Sequence, residues 1–226
     1  MTLQEAIVAR HSVRQYHEKA IEDSLIARIN EEVAACNREG RLHIQLVTGE
    51  PKAFSGGMAK YGKFSGVSNY LAMVGPKGSD EAIGYYGERL VLLAQTLGLN
   101  SCWVGLSFKK QPDQYQVAAG EKLYCVIALG YGVTQGVQHP MRPMEHFVKS
   151  AIPLPDWFER GMEAVLLAPT AVNQQKFEFE LTGDRIVAAR ARFTLIGYGQ
   201  MDLGIAKYHF EVAAGRENFK WKDRNG

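Results

Sequence analysis

The chain has 226 residues, of which 46% are hydrophobic and 22% charged, a balance typical of a globular protein and not of a disordered or fibrous one. Its formal net charge is only +2 and its basic residues are interspersed with acids, which argues against a nucleic-acid-binding surface. Because the N-terminus lacks a signal-peptide pattern and no apolar run reaches the roughly 18 residues of a membrane span, we expect a cytoplasmic protein that acts without a membrane.

The cysteines and histidines do not have the spacing of a metal site. Cys36, Cys102 and Cys125 are far apart in the chain and each lies in apolar sequence. This pattern predicts buried free thiols in a reducing compartment. No GxGxxG or Walker loop occurs, and no side-chain nucleophile or acid-base pair is indicated. We therefore expect no metal and no catalytic side chain.

The N-terminal part of the chain alternates helical and strand patterns. Thr2 followed by Glu5 has the spacing of a capping box, which predicts a short helix that runs to about Arg10. Further helices are predicted over 22–36 and 82–97, strands over 42–47, 70–78 and 124–131, and a glycine-rich loop over 55–66.

A proline-rich connection follows, with prolines at 140, 143, 153 and 155, and we interpret it as a linker between two halves. Beyond it, the pattern predicts a helix over 156–167, strands over 176–181 and 185–190 joined by a turn over 182–184, and a last helix that Asp202 caps. The predicted domain organisation is a half-unit over 1–150 and a half-unit over 151–226, integrated into one globular domain.

A weak internal repeat supports the two halves. It aligns EEVAACNREGRLHIQLVTGE with EAVLLAPTAVNQQKFEFELTGD at a shared Thr-Gly pair, and both copies read as helix, break, strand and turn. The copies differ in what they keep, because only the first half contains RHSVR and only the second contains APTAVNQQ. If the halves pack as the subunits of a dimer do, one composite site remains in each chain.

The RHSVR segment is the first candidate binding stretch. In an extended segment Arg10, Ser12 and Arg14 face the same way, and Val13 turns toward the core. Such a forked, charged cradle suits a phosphate group. The alternative interpretation is a solvated basic turn, which is the commoner meaning of two arginines without context.

Two further stretches carry polar or flexible groups suited to a flat ligand. The segment from Pro169 to Gln175 offers a hydroxyl, three amides and backbone N–H groups, which suit a planar heterocycle or simply form a polar loop. Ser101 to Leu106 ends near Gly105, where backbone can approach a flat ligand, or it is a strand that enters the core. His139 and Arg142 add to a phosphate site or belong to the linker surface.

Taken together, these stretches resemble the FMN-dependent nitroreductase family, and within it the single-chain branch in which two half-units are fused in tandem. The resemblance is carried from residue 10 to residue 211 by RHSVRQY, GYYGERLVLLAQTLGLNSCWVGLSF, IALGYG, APTAVNQQKFEF and DLGIAKYHFE. It implies an α+β sandwich with a central, mostly antiparallel sheet flanked by helices, and a pseudo-dimer that binds FMN between its halves.

The resemblance also implies the residues of the site. The RHSVR segment, with one further contact, would hold the FMN phosphate. The segment from Pro169 to Gln175 would line the flavin ring, and the segment from Ser101 to Leu106 would meet the reactive edge of the ring. The phosphate residues are Arg10, His11, Ser12, Arg14 and Arg142, the ring residues are Pro169, Thr170, Ala171 and Asn173, and the edge residues are Val104, Gly105 and Leu106.

The implied activity is that of an NAD(P)H-dependent oxidoreductase whose FMN passes electrons to a nitroaromatic or quinone. We expect one FMN per chain, in a monomer with an internal pseudo-dimer or in a weak homodimer. One departure leaves alternatives open, since Lys176-Phe177 stands where the family has Pro-Trp. A non-catalytic FMN carrier or redox sensor, or a relative that binds no flavin, is the other interpretation.

Overall fold

A computed structural model of the chain describes residues 1–183 and 185–222. Asp184 of the predicted turn over 182–184, and the end of the predicted second half-unit from 223 on, lie outside the described residues. The α-helices are α1 (Leu3–Ala9), α2 (Asp23–Gly40), α3 (Gly57–Tyr61), α4 (Asp80–Thr96), α5 (Asp156–Leu166) and α6 (Gly199–Ala214). The strands are β1 (Gln45–Val47), β2 (Asn69–Pro76), β3 (Asn100–Val104), β4 (Glu121–Gly130), β5 (Val148–Ser150), β6 (Phe177–Gly183), β7 (Ile186–Ala191) and β8 (Lys220–Trp221).

The longer elements agree with the sequence-based prediction. The Thr2–Glu5 capping box is confirmed, because the Thr2 hydroxyl accepts from the Glu5 backbone N–H and the Glu5 carboxylate accepts from that of Thr2. Two predictions were wrong. Part of the glycine-rich loop forms α3, and α6 begins after Tyr198 instead of at Asp202, whose carboxylate accepts hydrogen bonds from another loop.

The strands divide between two four-stranded sheets, and the mixed α+β class is confirmed. The first sheet has the order β1-β2-β4-β3 and is antiparallel throughout. The second has the order β5-β6-β7-β8, with an antiparallel central pair and outer strands parallel to their neighbours. Because β5 pairs with β6, the second sheet already begins within the predicted first half-unit over 1–150.

Apolar side chains from the helices and sheets form the core in separate clusters. One cluster joins α2 and α4 to the first sheet, and another lies on the opposite side of that sheet around Val13, Phe54 and Tyr70. A third, rich in aromatic rings such as Phe179 and Phe210, joins α5 and α6 to the second sheet. Cys36, Cys102 and Cys125 are buried free thiols, as predicted.

The same order of elements occurs twice along the chain. The succession α2-β1-β2-α4-β3 recurs as α5-β6-β7-α6-β8, apart from α3 in the first copy. In each copy the first two strands are antiparallel, and the strand after the long helix runs parallel to the second strand. Within the described residues, β4 is the added strand of the first copy and β5 that of the second.

The helices α4 and α6 pack with their backbones in close contact. A Cβ on Gly84 would lie 2.0 Å from the carbonyl oxygen of Met201, and a Cβ on Gly204 would lie 2.0 Å from that of Glu81. The two contacts are reciprocal, since each helix supplies one glycine and one facing carbonyl. This crossing joins the two copies of the repeated unit.

The helices offer no route through a lipid bilayer, since none in the described part of the chain combines the length and the apolar character that a membrane span requires.

We expect Gly84→Ala to destabilise the protein, because the added methyl group meets rigid backbone and the helices must move apart. Overpacking of this kind costs about 1–3 kcal/mol. The midpoint of thermal unfolding, followed by circular dichroism, should therefore fall by several degrees. Gly57→Ala in α3 is the matched control, because nothing lies within 4 Å of its added Cβ. Equal midpoints for the two variants would contradict the close-packed crossing.

Candidate functional site

A cavity of about 450 Å³ lies where several separate parts of the chain meet. They include the extended segment after α1, α3, the end of β3, the loop between α5 and β6, and the start of α6. Its volume is within the range of small-molecule and cofactor sites. Among the residues that line it are Ser12, Arg14, Val104, Gly105, Leu106, Pro169, Thr170 and Ala171, which the sequence nominated, and Met58, Tyr61, Val172, Ile196, Tyr198, Met201 and Asp202, which it did not.

The segment after α1 is fixed beside β3 by backbone pairing. The Val13 N–H donates to the Ser101 carbonyl at 3.0 Å, and the Val13 side chain is buried in the core, as the alternation in RHSVR predicts. Ser12 and Arg14 then face the cavity, and Arg14 is exposed. One hydroxyl and one cation therefore stand at this end of the cavity.

Arg10 lies deeper than the other residues of its segment and does not line the cavity. It is 3% exposed, and its Nε lies 3.7 Å from Oε1 of Glu88 on α4. Burial lowers the pKa of Arg10, partly offset by the Glu88 charge. Burial alone raises the pKa of Glu88, but hydrogen bonds from His209 and Trp103 and the charges of His209 and Arg10 hold it below its ordinary value. Arg10 is thus a buried cation two residues before Ser12 in the chain.

The end of β3 forms another part of the cavity wall. Val104 is buried, whereas the Leu106 side chain is exposed at the mouth. A Cβ on Gly105 would lie 2.6 Å from the Tyr198 hydroxyl, so a glycine is required for Tyr198 to approach this strand end. Tyr198 itself has a left-handed backbone, with φ of 62°, at the start of α6.

The loop from Pro169 to Gln175 is strained. Val172, Asn173 and Gln175 have φ of 46°, 55° and 47°, in the left-handed region that residues other than glycine rarely adopt. Such backbone persists only where surrounding contacts over-determine it, and it occurs often at functional sites. This loop therefore requires dedicated support.

Amide side chains supply that support from within the loop. The Asn173 and Gln175 amides each donate to the Pro140 carbonyl at 3.0 Å. The Gln174 amide donates to Asp202 and to the Gly197 carbonyl. Thr170, Ala171 and Val172 are thereby left to face the cavity, and Asn173 is not brought to it.

Two other nominated residues also lie away from the cavity lining. His11 is half-buried next to Arg10, and burial followed by the Arg10 charge lowers the pKa of its imidazole. Arg142 is exposed, and its backbone N–H donates to the Gln175 side chain at 3.3 Å. His11 is therefore linked to the site through Arg10, and Arg142 through Gln175.

Asp202 is the functional candidate that the sequence did not reveal. It lines the cavity in the first turn of α6 and is 3% exposed. Its Oδ1 accepts from the Ala171 N–H at 3.0 Å and its Oδ2 from Gln174 Nε2 at 2.6 Å. Burial raises the pKa of Asp202 to about 6, although these two hydrogen bonds act in the opposite direction. An acidic residue in the first turn of a helix resembles a cap, which hid this role.

Exposed apolar side chains surround the mouth of the cavity. Met58 and Tyr61 come from α3, Leu106 follows β3, Val172 lies in the strained loop and Ile196 precedes α6. Apolar groups clustered around a cavity are typical of a site that binds apolar ligands. No group of three or more His, Cys, Asp or Glu side chains within residues 1–183 and 185–222 is arranged to hold a metal ion.

Comparisons with known proteins agree with this architecture. A family model described as "Putative TM nitroreductase" matches residues 2–214. The crystal structure of a "putative nitroreductase" from Thermotoga maritima MSB8 is similar, with a TM-score of 0.64 and 23% identity over 96% of this chain and 85% of that one. No curated protein matches the chain.

Two other crystal structures have a TM-score of 0.50. One is a "putative nitroreductase in complex with fmn" from Desulfovibrio desulfuricans, 16% identical over 69% of this chain and 99% of that one. The other is a "Putative NADH dehydrogenase/NAD(P)H nitroreductase" from Parabacteroides distasonis ATCC 8503, 18% identical over 64% of this chain and 95% of that one. All three structures share the fold with this chain.

We expect Asp202 to make the stability of the protein depend on pH. Its pKa of about 6 in the folded chain, against 3.8 for an ordinary aspartate, means that the folded state binds more protons between these values. The free energy of unfolding therefore falls as pH rises from about 4 to about 7, by about 3 kcal/mol at most.

The measurement compares the wild type with Asp202→Asn in urea unfolding at several pH values. The variant lacks the titrating group, so the wild type should lose stability relative to it as pH rises through this range. A constant offset is also expected, because the asparagine amide faces the Gln174 donor. A difference that does not change with pH would contradict the assignment.

Proposed function

The chain belongs to the nitroreductase family, and from this premise we propose that its cavity binds FMN and that the protein is an NAD(P)H-dependent oxidoreductase. The observation that carries the proposal is the meeting of three nominated segments at one cavity. Ser12 and Arg14, Val104 to Leu106, and Pro169 to Ala171 are far apart in the chain and line the same space. We would not expect three such segments to line one cavity by chance.

The residues present fit FMN in charge and shape. The Ser12 hydroxyl and the Arg14 guanidinium are suited to a phosphate, and the buried Nε of Arg10 in the same segment has no hydrogen-bond partner. The walls around the remaining volume are mainly apolar, which suits a flat ring system. The cavity thus has a cationic end and an apolar end.

Each part of the chain has a distinct task in this proposal. Ser12 and Arg14 bind the phosphate, while the β3 end and the Pro169 to Val172 loop flank the ring. Asp202 holds that loop in place through the Ala171 N–H. FMN, when bound, supplies the transfer of a hydride from NAD(P)H to an acceptor, so the protein needs to bind, orient and exclude water rather than to provide a nucleophile.

The rim of the cavity supports an apolar, electron-poor acceptor such as a nitroaromatic or a quinone. Met58, Tyr61, Val172 and Ile196 are exposed there and would contact a ligand that stacks on the ring. Burial of these groups by a ligand is favourable at about 25 cal/mol per Å² of apolar surface. We propose the same acceptor class as the one that the sequence implies.

The tandem organisation belongs to the same proposal. The repeated order of elements and the reciprocal glycine contacts between α4 and α6 support two fused half-units, with the boundary near residue 150. Because RHSVR occurs in one copy and APTAVNQQ in the other, we propose one FMN per chain in a cytoplasmic monomer. Two flavins per purified chain would contradict this.

The departure from the family at Lys176-Phe177 lies outside the cavity. Phe177 is buried at the start of β6 and packs against Phe147, and the Lys176 carbonyl accepts from the Arg192 N–H at 2.8 Å. Hydrogen bonds from Asn173 and Gln175 to the Pro140 carbonyl hold the loop in this chain. Nothing in this arrangement favours a carrier over an enzyme.

We expect Arg14→Ala to weaken FMN binding about tenfold or more, since a charge-assisted hydrogen bond contributes about 1.5–3 kcal/mol. Quenching of FMN fluorescence during titration of the protein measures Kd. Arg28→Ala is the matched control, because Arg28 is an exposed arginine on α2 that pairs with Glu31. A spectrum without a flavin band would overturn the proposal, and bound FMN that neither NADH nor NADPH reduces would indicate a carrier.

We expect Ile196→Asp to lower kcat/KM for a neutral nitroaromatic about tenfold, because a charge replaces an apolar contact at the mouth. Leu195→Asp is the control, since Leu195 is 91% exposed and does not line the cavity. Steady-state kinetics at saturating NADH or NADPH separate the two variants. Equal losses would place the acceptor elsewhere.

A further inference from the structure

A buried group of charges lies beside the cavity, at the crossing of α4 and α6. Glu88 and His209 are completely buried, and Arg10 is 3% exposed. Glu88 Oε1 lies 2.9 Å from His209 Nε2 and 3.7 Å from Arg10 Nε, and Glu88 Oε2 accepts from Trp103 Nε1 at 2.9 Å. The group links both long helices to the segment that precedes Ser12.

The hydrogen bonds determine the net charge of this group. His209 Nδ1 lies 2.9 Å from the Ala164 carbonyl, which only accepts, so Nδ1 carries a proton. Another proton must lie between His209 Nε2 and Glu88 Oε1, on one atom or the other. In either position the His209–Glu88 pair is neutral. Arg10 is always protonated, so the group has a net charge of about +1.

This net charge has no further compensating acid in ion-pair contact among residues 1–183 and 185–222. In the part of the chain that the structure describes, Glu88 is the acid in ion-pair contact with Arg10, and the Arg10 Nε has no hydrogen bond. A buried cation without a full set of partners is costly, and a nearby anion offsets that cost. Ser12, two residues along the chain from Arg10, lines the cavity in which a ligand could bind.

The other titratable groups near Arg10 do not supply the missing negative charge. His11 precedes Ser12, and His139 Nε2 donates to the Leu166 carbonyl at 3.0 Å. Burial and the Arg10 charge lower the pKa of both imidazoles. Cys102, from β3, is a thiol whose pKa burial raises, so it too is neutral. The surroundings of Arg10 are therefore neutral or cationic.

We propose that Glu88 is a positioning residue for the phosphate end of the site, and that it holds the Arg10 guanidinium in the segment that carries Ser12 and Arg14, with His209 completing the hydrogen bonds of the carboxylate. The inference rests on the proposed binding of FMN. It places the support of the phosphate in the crossing of α4 and α6, remote in sequence from the segment that touches the ligand.

The test compares FMN with riboflavin, which has the same ring and lacks the phosphate. Kd for each is measured by fluorescence quenching with wild type and with Glu88→Gln. We expect the variant to bind FMN at least about tenfold more weakly and riboflavin within about twofold of wild type. In an Arg10→Gln background the same substitution should have no further effect on FMN, because Glu88 acts through Arg10.

A matched control and a milder variant separate this role from a structural one. Tyr85→Phe removes a hydrogen bond to Glu211 across the same helix crossing and should leave both Kd values unchanged. If Glu88→Gln does not fold, Glu88→Asp is measured, and it should still weaken FMN more than riboflavin. Equal weakening of both ligands, or an undiminished effect without Arg10, would overturn the inference, whereas a wild type that binds neither flavin would overturn the proposed function itself.

Discussion

The architecture depends on the close crossing of α4 and α6. Gly84 and Gly204 allow each helix to lie against a carbonyl of the other, and no larger residue would permit that distance. The crossing joins the part of the chain that carries the first sheet and β3 to the part that carries the loop between α5 and β6. It also encloses Glu88 and His209, so the same contact sets both the shape of the cavity and the charge beside it.

Much of the fold was predictable from local pattern. The capping box at Thr2 and the glycine after α6 mark helix ends, and the apolar residues at helical spacing mark the buried face of α4. Each of these signals depends on residues close together in the chain. The helix α3 and the start of α6 were less predictable. Tertiary contacts decide them, and Tyr198 at a left-handed N-cap has no propensity signal.

The residues of the site also differ in whether local sequence could predict them. The motif residues Ser12, Arg14 and Ala171 carry their role in local sequence, and the structure brings them to one cavity. Asp202 and Glu88 were beyond reach, because an acid in a helix is ambiguous until its partners are known. Asn173 was predicted as a ring contact because of its amide, but the amide donates to the Pro140 carbonyl instead. Local sequence does not show this contact, because Pro140 lies far away in the chain.

The Pro140 carbonyl accepts from both Asn173 and Gln175, so the connection between β4 and β5 helps to hold the strained loop. Insertions or deletions in this connection are thereby restricted, because they would move the carbonyl that both amides bind. A sequence change near Pro140 would reach Thr170 and Ala171 at the cavity through the loop, although Pro140 itself does not line the cavity.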